Sequence, residues 1–500
     1  MASGFPPVAG VLTAIVGGLV ATFFGSADLT IKGPAAGLIV IALGAVQELG
    51  GSDPVLGYRR ALAVVVVAGV LQIALGLLKA GTLGDAFPGA AVHGMLAAIG
   101  VIIVAKQSHT VLGVKPMASE PLELLAEIPH SLTHANAEIA AIGVVALSLL
   151  LLWPKVSGRW AKVVPAQLVV LAVTIPMGLL FDLDHAHTYS WGNVHGKVGP
   201  EYLVNLPGNL LSALAWPDFS ALTSAVSIKY VAMFTLVGSI ESLLSAKAVD
   251  ALDPRRKASD LSRDLLATGV GNVLAGLIGG LPMISEIVRS SANISAGARS
   301  RWSNFFHGLL LLVFVAAVPG LLHRIPLAAL GAMLVYTGVR LASPGELVHA
   351  WRVGREQFAV FVTTLLATLA TDLLVGVAAG VVLELVLHVA SGAPLRGLVR
   401  PGVRYELDGE RHILRVTTSA LFCNFVSLKG QLERLDPAIT VVVLDLSSSD
   451  YVDHTSLGGL RQLQQRFADS GRTLLITGLD AHHPVSSHEL ASRRLPARRA

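Results

Sequence analysis

The sequence has little charge and almost no cysteine. Only 14% of its 500 residues are Asp, Glu, Lys or Arg, whereas soluble domains carry about 25%. The charge needed to coat several soluble domains is therefore missing. The single cysteine, Cys423, excludes an internal disulfide framework and a cysteine-rich zinc site. A formal net charge of +4 is too small to indicate nucleic-acid binding.

The sequence is instead rich in long apolar runs. Hydrophobic residues make up 53% of the chain, and the mean hydropathy is +0.66. Uninterrupted blocks such as Ala61–Leu78 and Leu309–Val318 are typical of helices that face lipid or lie between lipid-facing helices. These features predict a polytopic membrane protein.

The composition changes near residue 400. Apolar blocks alternate with short polar connections up to Gly392, and the chain becomes charged from Pro401 onward. There, Ile439–Leu446 and Thr473–Thr477 have strand patterns and Ser456–Ser470 has helical spacing. We therefore expect an all-α membrane domain over 1–392 and a small α/β domain over 401–500.

The membrane domain contains about 13 candidate spans, judged by the length of each apolar block. They are 7–24, 34–49, 60–79, 87–105, 136–153, 165–183, 226–248, 260–279, 284–296, 304–321, 326–342, 357–371 and 373–391. The segments Pro34–Leu49 and Ser285–Ala296 are short and follow Gly/Pro-bearing extended stretches. Such interrupted segments in the two halves of a transporter indicate a binding site built from broken helices.

The distribution of Lys and Arg predicts the orientation. If the carboxy-terminal domain is cytoplasmic, roughly 17 basic residues lie in loops on its side and about 6 on the other, as the positive-inside rule requires. An odd number of spans then places Met1 outside the cell, without a signal peptide. We therefore expect one amino-terminal helix to be missing; a miscounted span is the alternative.

The two interrupted segments suit an anion. If helices begin at Pro34 and Ser285 and both point to the membrane centre, their N-termini offer unpaired N–H donors and partial positive charge. Gly33, Gly37, Gly279 and Gly280 permit close backbone approach. The alternative is that these glycines serve only tight helix packing.

Charged residues at membrane depth are expensive and therefore informative. Arg289 lies one turn into the second interrupted segment and would supply positive potential to an anion. An ion pair with Glu286 or Glu241 is the competing interpretation. Lys32, just before the first interruption, could add to the same positive field, but snorkelling to the cytoplasmic surface is favoured.

Five stretches in order make the chain resemble the SulP anion transporters, the family related to animal sulfate, chloride and bicarbonate exchangers. They are Ser3–Gly10, Lys32–Gly37, Ser239–Ser245, Gly280–Ser290 and Asn293–Arg301. The resemblance implies fourteen membrane segments in a seven-plus-seven inverted repeat, a cytoplasmic STAS domain and a homodimer. The match begins at the end of the family's first helix, so the resemblance also leads us to expect that this helix is missing.

The resemblance also implies a coupling site. Glu241 and Ser245 share a helix face, at positions where similar sodium-coupled carriers bind sodium. We expect Lys247 to lie near them, where its ammonium would replace a sodium ion, and Glu286 to add a second carboxylate. Proton coupling or uncoupled exchange is therefore favoured over sodium symport, and a fixed Glu–Lys pair without a transport role is the alternative.

The carboxy-terminal domain resembles a STAS domain at Val441–Leu446 and the strand-to-helix turn around Asp453. His454 stands where the bacterial anti-sigma antagonists have a phosphorylatable serine, which favours a structural or docking role. The spacing of His185 and His187 could suggest a metal site. Their position in a long external loop favours solvated side chains instead.

The sequence thus predicts a secondary-active carrier of small inorganic anions in the cell membrane, with bicarbonate or sulfate foremost and a dicarboxylate left open. The expected binding residues are Gly33, Pro34, Ala35, Ala36, Ser285, Glu286, Val288 and Arg289. No cofactor is expected beyond Na+ or H+ as coupling ion, and the absence of a hydrolase motif argues against an enzyme. The alternatives are a non-transporting scaffold or sensor that recruits a cytoplasmic partner through its STAS domain, and a nucleobase carrier of the same architecture.

Overall fold

The protein is described by a computed structural model over residues 4–35, 37–118, 120–156, 164–191, 194–204, 214–255, 258–408, 411–436 and 438–496. Its internal contacts divide the chain into two compact units. The first unit comprises Met1–Lys79 and Ile99–Ala342, and the second comprises Ala80–Ala98 and Ser343–Ala500.

The first unit is mostly helical. Its elements are α1 (Pro7–Val16), β1 (Ile31–Pro34), α2 (Ile39–Gly50), α3 (Pro54–Leu77), the second half of α4 (Gly89–Leu112), α5 (Pro121–Thr133), α6 (Ala137–Leu152), α7 (Ala166–Leu180), β2 (His187–Trp191), β3 (Val194–Val198), α8 (Ala225–Leu252), α9 (Leu261–Ile278), β4 (Met283–Glu286), α10 (Ile287–Ser295), α11 (Trp302–Ala317) and α12 (Leu327–Leu341). Helix α1 continues through a π-helical turn, Gly17–Ala21, to Thr22–Phe24.

The helix starts follow ordinary capping chemistry. Asp53 caps α3 by accepting hydrogen bonds from the first-turn N–H groups, and Pro54 occupies the first helical position. Asp260 caps α9 in the same way. Within the described residues, six helices are long and apolar enough to cross a bilayer, and four apolar helices are shorter. A polytopic helical membrane fold is therefore confirmed, and every predicted span coincides with a helix.

The two interrupted segments meet in space. Strand β1 pairs antiparallel with β4, so that Ile31 lies opposite Glu286, Lys32 opposite Ser285 and Pro34 opposite Met283. The pairing continues where the Ala35 N–H donates to the Pro282 carbonyl over 2.8 Å. The extended backbone at this depth is thus satisfied by a partner strand, as a bilayer interior requires.

This pairing corrects two predicted helix starts. Helix α2 begins at Ile39 rather than Pro34, and α10 begins at Ile287 rather than Ser285. The residues expected to begin the helices are the ends of strands, because their backbone groups pair across the crossing before either helix can start.

Asn272 holds β4 in place. Its side-chain oxygen accepts the Met283 N–H over 2.5 Å, and its amide donates to the Met283 carbonyl over 3.0 Å. The same amide donates to Gln72 on α3 over 2.7 Å. Helices α3 and α9 approach closely enough for this because glycines face each other: a Cβ on Gly69 would lie 2.8 Å from the Gly269 carbonyl oxygen.

Asn304 on α11 holds β1 in place, as Asn272 holds β4. Its amide donates to the Gly17 carbonyl over 3.0 Å and to the Thr22 hydroxyl over 2.8 Å, which satisfies groups of the π-helical turn. Its oxygen accepts the Lys32 backbone N–H over 3.4 Å. Close packing of Gly18 on Gly308 brings α11 near enough.

The second unit combines helices with the carboxy-terminal sheet. Its elements are the first half of α4, α13 (Pro344–Val353), α14 (Arg355–Ala370), α15 (Leu373–Ala390), β5 (Val403–Asp408), β6 (Arg411–Val416), α16 (Phe422–Glu433), β7 (Val441–Asp445), β8 (Tyr451–Val452), α17 (His454–Asp469), β9 (Thr473–Thr477), β10 (His483–Pro484) and β11 (Arg493–Arg494). The predicted boundary between 392 and 401 stays a prediction, since the contacts group α13–α15 with the sheet.

A four-stranded sheet in the order β5-β6-β7-β9 forms the centre of the carboxy-terminal region. Strands β5 and β6 are antiparallel, and β6, β7 and β9 are parallel. Buried leucines and valines of the sheet pack against α16 and α17. A small α/β region after the membrane helices is therefore confirmed, and its sheet is consistent with the predicted STAS domain.

Candidate functional site

A buried ion pair lies beside the crossing of β1 and β4. Lys32 Nζ is 2.8 Å from Asp264 Oδ2, and the two side chains are 3% and 1% exposed. The prediction that Lys32 snorkels to the surface is therefore wrong. Asp264 lies one turn into α9, where it offers the ammonium a partner inside the protein.

Ser285 belongs to the same polar cluster. Its hydroxyl donates to Asp264 Oδ2 over 3.0 Å and accepts from Lys32 Nζ over 2.9 Å, and its backbone N–H donates to the Ser242 hydroxyl. Ser285 is fully buried. The structure thus places it in a network that supports the crossing rather than at the tip of a helix.

Arg289 pairs with Glu286, one turn away on the same helix. The distance from Arg289 Nε to Glu286 Oε2 is 2.9 Å, so the ion-pair alternative describes the geometry. The other carboxylate oxygen, Oε1, lies against Gly33 and has no hydrogen-bond partner among the described residues. A Cβ on Gly33 would also lie 3.2 Å from the Arg289 guanidinium.

The Glu241 side chain extends from α8 to the start of α2. Its buried carboxylate contacts Gly37 and accepts the Gly37 backbone N–H, immediately before α2. Glu241 and Glu286 are close enough for their charges to interact. The start of α2 is therefore contacted by the Glu241 carboxylate, and α10 begins directly after Glu286, whose carboxylate contacts Gly33 on β1.

The N-termini of α2 and α10 carry no capping side chain. The N-cap residues Leu38 and Glu286 make no side-chain capping hydrogen bond. First-turn N–H groups that a cap does not satisfy are donors for an anion, and the helix dipole adds partial positive charge. The arrangement can bind negative charge at two points without a fixed cation.

The expected place of Lys247 near this pair of carboxylates stays a prediction. The charge of Lys247 acts on Asp250, on the following turn of α8. Lys247 follows Glu241 by six positions, which places it about 240° around the helix. Ser245 is buried one turn from Glu241, as its spacing predicts.

The remaining predicted site residues surround the crossing. Pro34 lies opposite Met283, and Ala35 is buried where its N–H extends the strand pairing. Val288 is half-buried in the first turn of α10. Ala36 lies outside the described residues.

His185 and His187 lie at the start of an exposed hairpin, β2–β3, where the sequence predicted only a loop. His185 Nδ1 is 2.7 Å from Asp182 Oδ1. This hydrogen bond raises the pKa of His185 above its usual value.

Asp264 and Asn272 were missed by sequence reasoning. Asp264 follows the N-cap Asp260 and reads as part of a solvated helix start. The signal that could have found it is Lys32: a lysine within an apolar stretch requires an acidic partner at the same depth.

The family called the sulfate permease family matches residues 1–364 of the chain. The chain belongs to this family. A bicarbonate transporter, BicA, from Synechocystis is 26% identical over 489 residues, which cover 94% of this chain and 83% of the relative. A putative sulfate transporter, YvdB, from Bacillus subtilis is 23% identical over 496 residues, which cover 98% and 89%.

Solved structures agree on the fold. The transmembrane domain of a cyanobacterial bicarbonate transporter, BicA, aligns with a TM-score of 0.53 and 26% identity over 76% of this chain and 91% of that chain. The overall structure of SLC26A9 aligns with a TM-score of 0.54 over 95% and 83%, and its 13% identity supports the fold alone. Membership of a family of transporters confirms the prediction that the chain is not an enzyme.

Proposed function

We propose that this chain carries a small inorganic anion across the membrane, with bicarbonate and sulfate the leading substrates. The anion binds between the starts of α2 and α10, near Gly33, Pro34, Ala35, Ala36, Ser285, Glu286, Val288 and Arg289. The names of the relatives support the substrate class, and the crossing of β1 with β4 supports the location.

One observation carries the proposal: the Glu241 carboxylate accepts the Gly37 N–H at the start of α2. A carboxylate is itself a small oxyanion, so its position identifies a place where the backbone accepts negative charge. Glu286 lies directly ahead of α10, where its carboxylate contacts Gly33 and pairs with Arg289. An incoming anion can replace Glu286 as the partner of the Arg289 guanidinium.

The same positions favour proton coupling over sodium coupling. A bound anion competes with Glu241 and Glu286 for the same donors, and like charges at this distance repel each other. A proton on one carboxylate removes the competition, so the anion and the proton enter together. Uncoupled exchange of two anions is the second mode, and sodium symport through Glu241 and Ser245 is the third.

The remaining assignments follow from the sequence. The carrier is a homodimer in the cell membrane, and the region from Pro401 onward is a cytoplasmic STAS domain that docks a partner. The excess of basic residues in the loops on that side supports the orientation.

Uptake into proteoliposomes tests the site. Labelled bicarbonate and sulfate are offered separately, with and without a pH gradient and with and without sodium, to the wild type, Arg289→Ala, Glu241→Gln and the control Glu48→Gln. Glu48 pairs with Lys229 at the surface, away from the crossing.

Arg289→Ala is expected to raise KM for the anion, and Glu241→Gln is expected to abolish the response to the pH gradient while anion exchange persists. The control leaves both unchanged. Uptake that is indifferent to both site substitutions would refute the site. A sodium requirement without a pH response would refute proton coupling, and an absence of uptake of any anion would favour the scaffold.

A further inference from the structure

Three ionisable side chains meet in the second unit. Glu384 and His388 lie one turn apart on α15, and Asp453 precedes α17. His388 Nε2 is 3.7 Å from Glu384 Oε1 and 3.8 Å from Asp453 Oδ2. One ligand atom from each residue lies within 4.8 Å of the other two. The three side chains are at most 2% exposed.

Two polar atoms of this cluster have no partner among the described residues. Glu384 Oε2 and His388 Nδ1 are buried and make no hydrogen bond within the part of the chain that the structure describes. The charged groups that act most strongly on Glu384 are Asp453 and Glu356, which are also acidic. Buried carboxylates without a cation are costly, because neither water nor a counter-charge compensates them. A positive charge bound between the two carboxylates would compensate them.

The separations match ligands that share a metal ion. Distances of 3.7 and 3.8 Å are too long for hydrogen bonds between nitrogen and oxygen. Two ligands that each lie about 2.0–2.1 Å from a tetrahedral zinc ion are about 3.4 Å apart. The two separations from His388 exceed this value by about 0.3–0.4 Å, and the two carboxylate oxygens lie within 4.8 Å of each other.

The surrounding groups orient two of the three side chains. Asp453 Oδ1 accepts the Ser456 N–H over 2.6 Å, and Oδ2 accepts the Phe422 N–H over 2.5 Å. The Gln357 amide donates to Glu384 Oε1 over 3.2 Å. Supporting hydrogen bonds of this kind are typical of metal ligands, since they fix the orientation of the donor atoms.

A small cavity next to the cluster offers room for a further ligand. Its volume is about 30 Å³, and its lining includes Gln357 and His454. Gln357 Oε1 is buried there without a hydrogen bond among the described residues. A cavity of this size holds a water molecule, and a metal-bound water could donate to that oxygen.

We propose that Glu384, His388 and Asp453 bind a first-row divalent transition metal, with zinc the best match to one imidazole and two carboxylates. The ion neutralises the buried carboxylates, and a water in the cavity completes its coordination. It ties α15, a membrane helix, to the start of α17 in the carboxy-terminal region. A cysteine-rich site is excluded by composition, whereas a mixed nitrogen and oxygen site is not.

Metal titration of the tag-free full-length protein tests this site. The protein is purified in detergent, stripped with a chelator and titrated with Co²⁺, whose visible spectrum reports tetrahedral coordination, and with Zn²⁺ in competition. His388→Gln and Glu384→Gln each remove one ligand. His483→Gln removes an exposed histidine of the same unit and is the matched control.

The wild type and His483→Gln are expected to bind one ion per chain and to melt at higher temperature when Zn²⁺ is added. Loss of a supporting group costs about 10–100-fold in metal affinity, so loss of a ligand is expected to cost at least about 100-fold. The two ligand variants are therefore expected to show neither the Co²⁺ spectrum nor the shift in Tm.

Two results overturn the proposal. One is the absence of binding by the wild type up to about 100 µM metal, which is weaker than any specific structural site of this kind. The other is binding by both ligand variants with wild-type affinity, which would place the ion elsewhere. Size-exclusion profiles confirm that each variant is folded, and two independent ligand variants keep the test decisive if one does not fold.

Discussion

Lys32 Nζ and Asp264 Oδ2 lie 2.8 Å apart in the interior of the membrane unit, although their residues are 232 positions apart in the chain. Ser285 joins them, so the pair fixes β1, α9 and β4 relative to one another. A buried pair of this kind adds little net stability over an apolar substitute, but loss of one partner leaves an uncompensated charge.

Substitution of one partner is therefore expected to be worse than substitution of both. Asp264→Leu alone leaves a buried ammonium and is expected to destabilise the protein by about 3–5 kcal/mol. The double variant Lys32→Met/Asp264→Leu is expected to recover a large part of the lost Tm, as measured by thermal unfolding in detergent. Lys229→Met, which breaks the exposed pair with Glu48, is the control and leaves the Tm nearly unchanged. A double variant that is less stable than Asp264→Leu would contradict this account.

A methyl group at Gly37 or Gly33 is expected to weaken anion uptake. In each case the new Cβ would overlap a carboxylate, that of Glu241 or that of Glu286. Overpacking of this kind costs about 1–3 kcal/mol, which corresponds to about 5- to 150-fold in apparent affinity. The KM for anion uptake into proteoliposomes measures the effect.

Gly320→Ala is the matched control, because a Cβ there meets nothing within 4 Å. If Gly33→Ala and Gly37→Ala both kept the wild-type KM, anion uptake would not depend on the observed positions of the Glu286 and Glu241 carboxylates.

Gly18→Ala is expected to separate α11 from the π-helical turn after α1. The added Cβ would lie 2.5 Å from the Gly308 Cα, so the backbone itself must move. Asn304 would then lose its hold on β1, and we expect the Tm to fall with an overpacking cost of about 1–3 kcal/mol. Gly10→Ala, at an ordinary 3.6 Å from Pro34, is expected to be tolerated. Equal Tm values for the two variants would disprove the importance of this contact.

Cys423 is expected to be nearly inert to thiol reagents. Burial raises the pKa of its thiol to about 12, and the Asp453 carboxylate adds to this effect. At pH 8 the thiolate fraction is then on the order of 1,000-fold lower than that of a free cysteine. The rate of maleimide labelling of the native protein measures this.

The control for Cys423 is an exposed thiol in the same unit, made by Ser487→Cys in a Cys423→Ser background. Since Cys423 is the sole cysteine, each protein reports one site. Labelling of both proteins at the same rate would show that the thiol is accessible and ionised.

The sequence was sufficient for the helices and for the meeting of the two interrupted segments. Every predicted span became a helix, because apolar length is visible locally. The sequence predicted that α2 begins at Pro34, whereas it begins at Ile39. The error arose because the strand pairing between β1 and β4 is a contact between residues that are distant in the chain. No local pattern in either segment records its partner.

The candidate site was only partly predictable for the same reason. Glu241, Glu286 and Arg289 were identified because charge in an apolar context is conspicuous. Asp264 was hidden by its place at a helix start, and Asp453 reads as an ordinary N-cap. The place of Lys247 stays a prediction, because a spacing of six positions from Glu241 turns the two residues about 240° apart around α8.

The distance along the chain between Lys32 and Asp264 has a consequence for biosynthesis. At about 5–20 residues per second, the ribosome needs about 10–50 s to reach Asp264 after Lys32 has emerged. During that interval the lysine lacks Asp264, and a lysine at membrane depth costs about 2.5–3.5 kcal/mol on insertion scales for helix centres. We therefore expect the nascent amino-terminal segments to stay at the translocon or at the bilayer surface until α9 has been made, so that the crossing of β1 and β4 forms late.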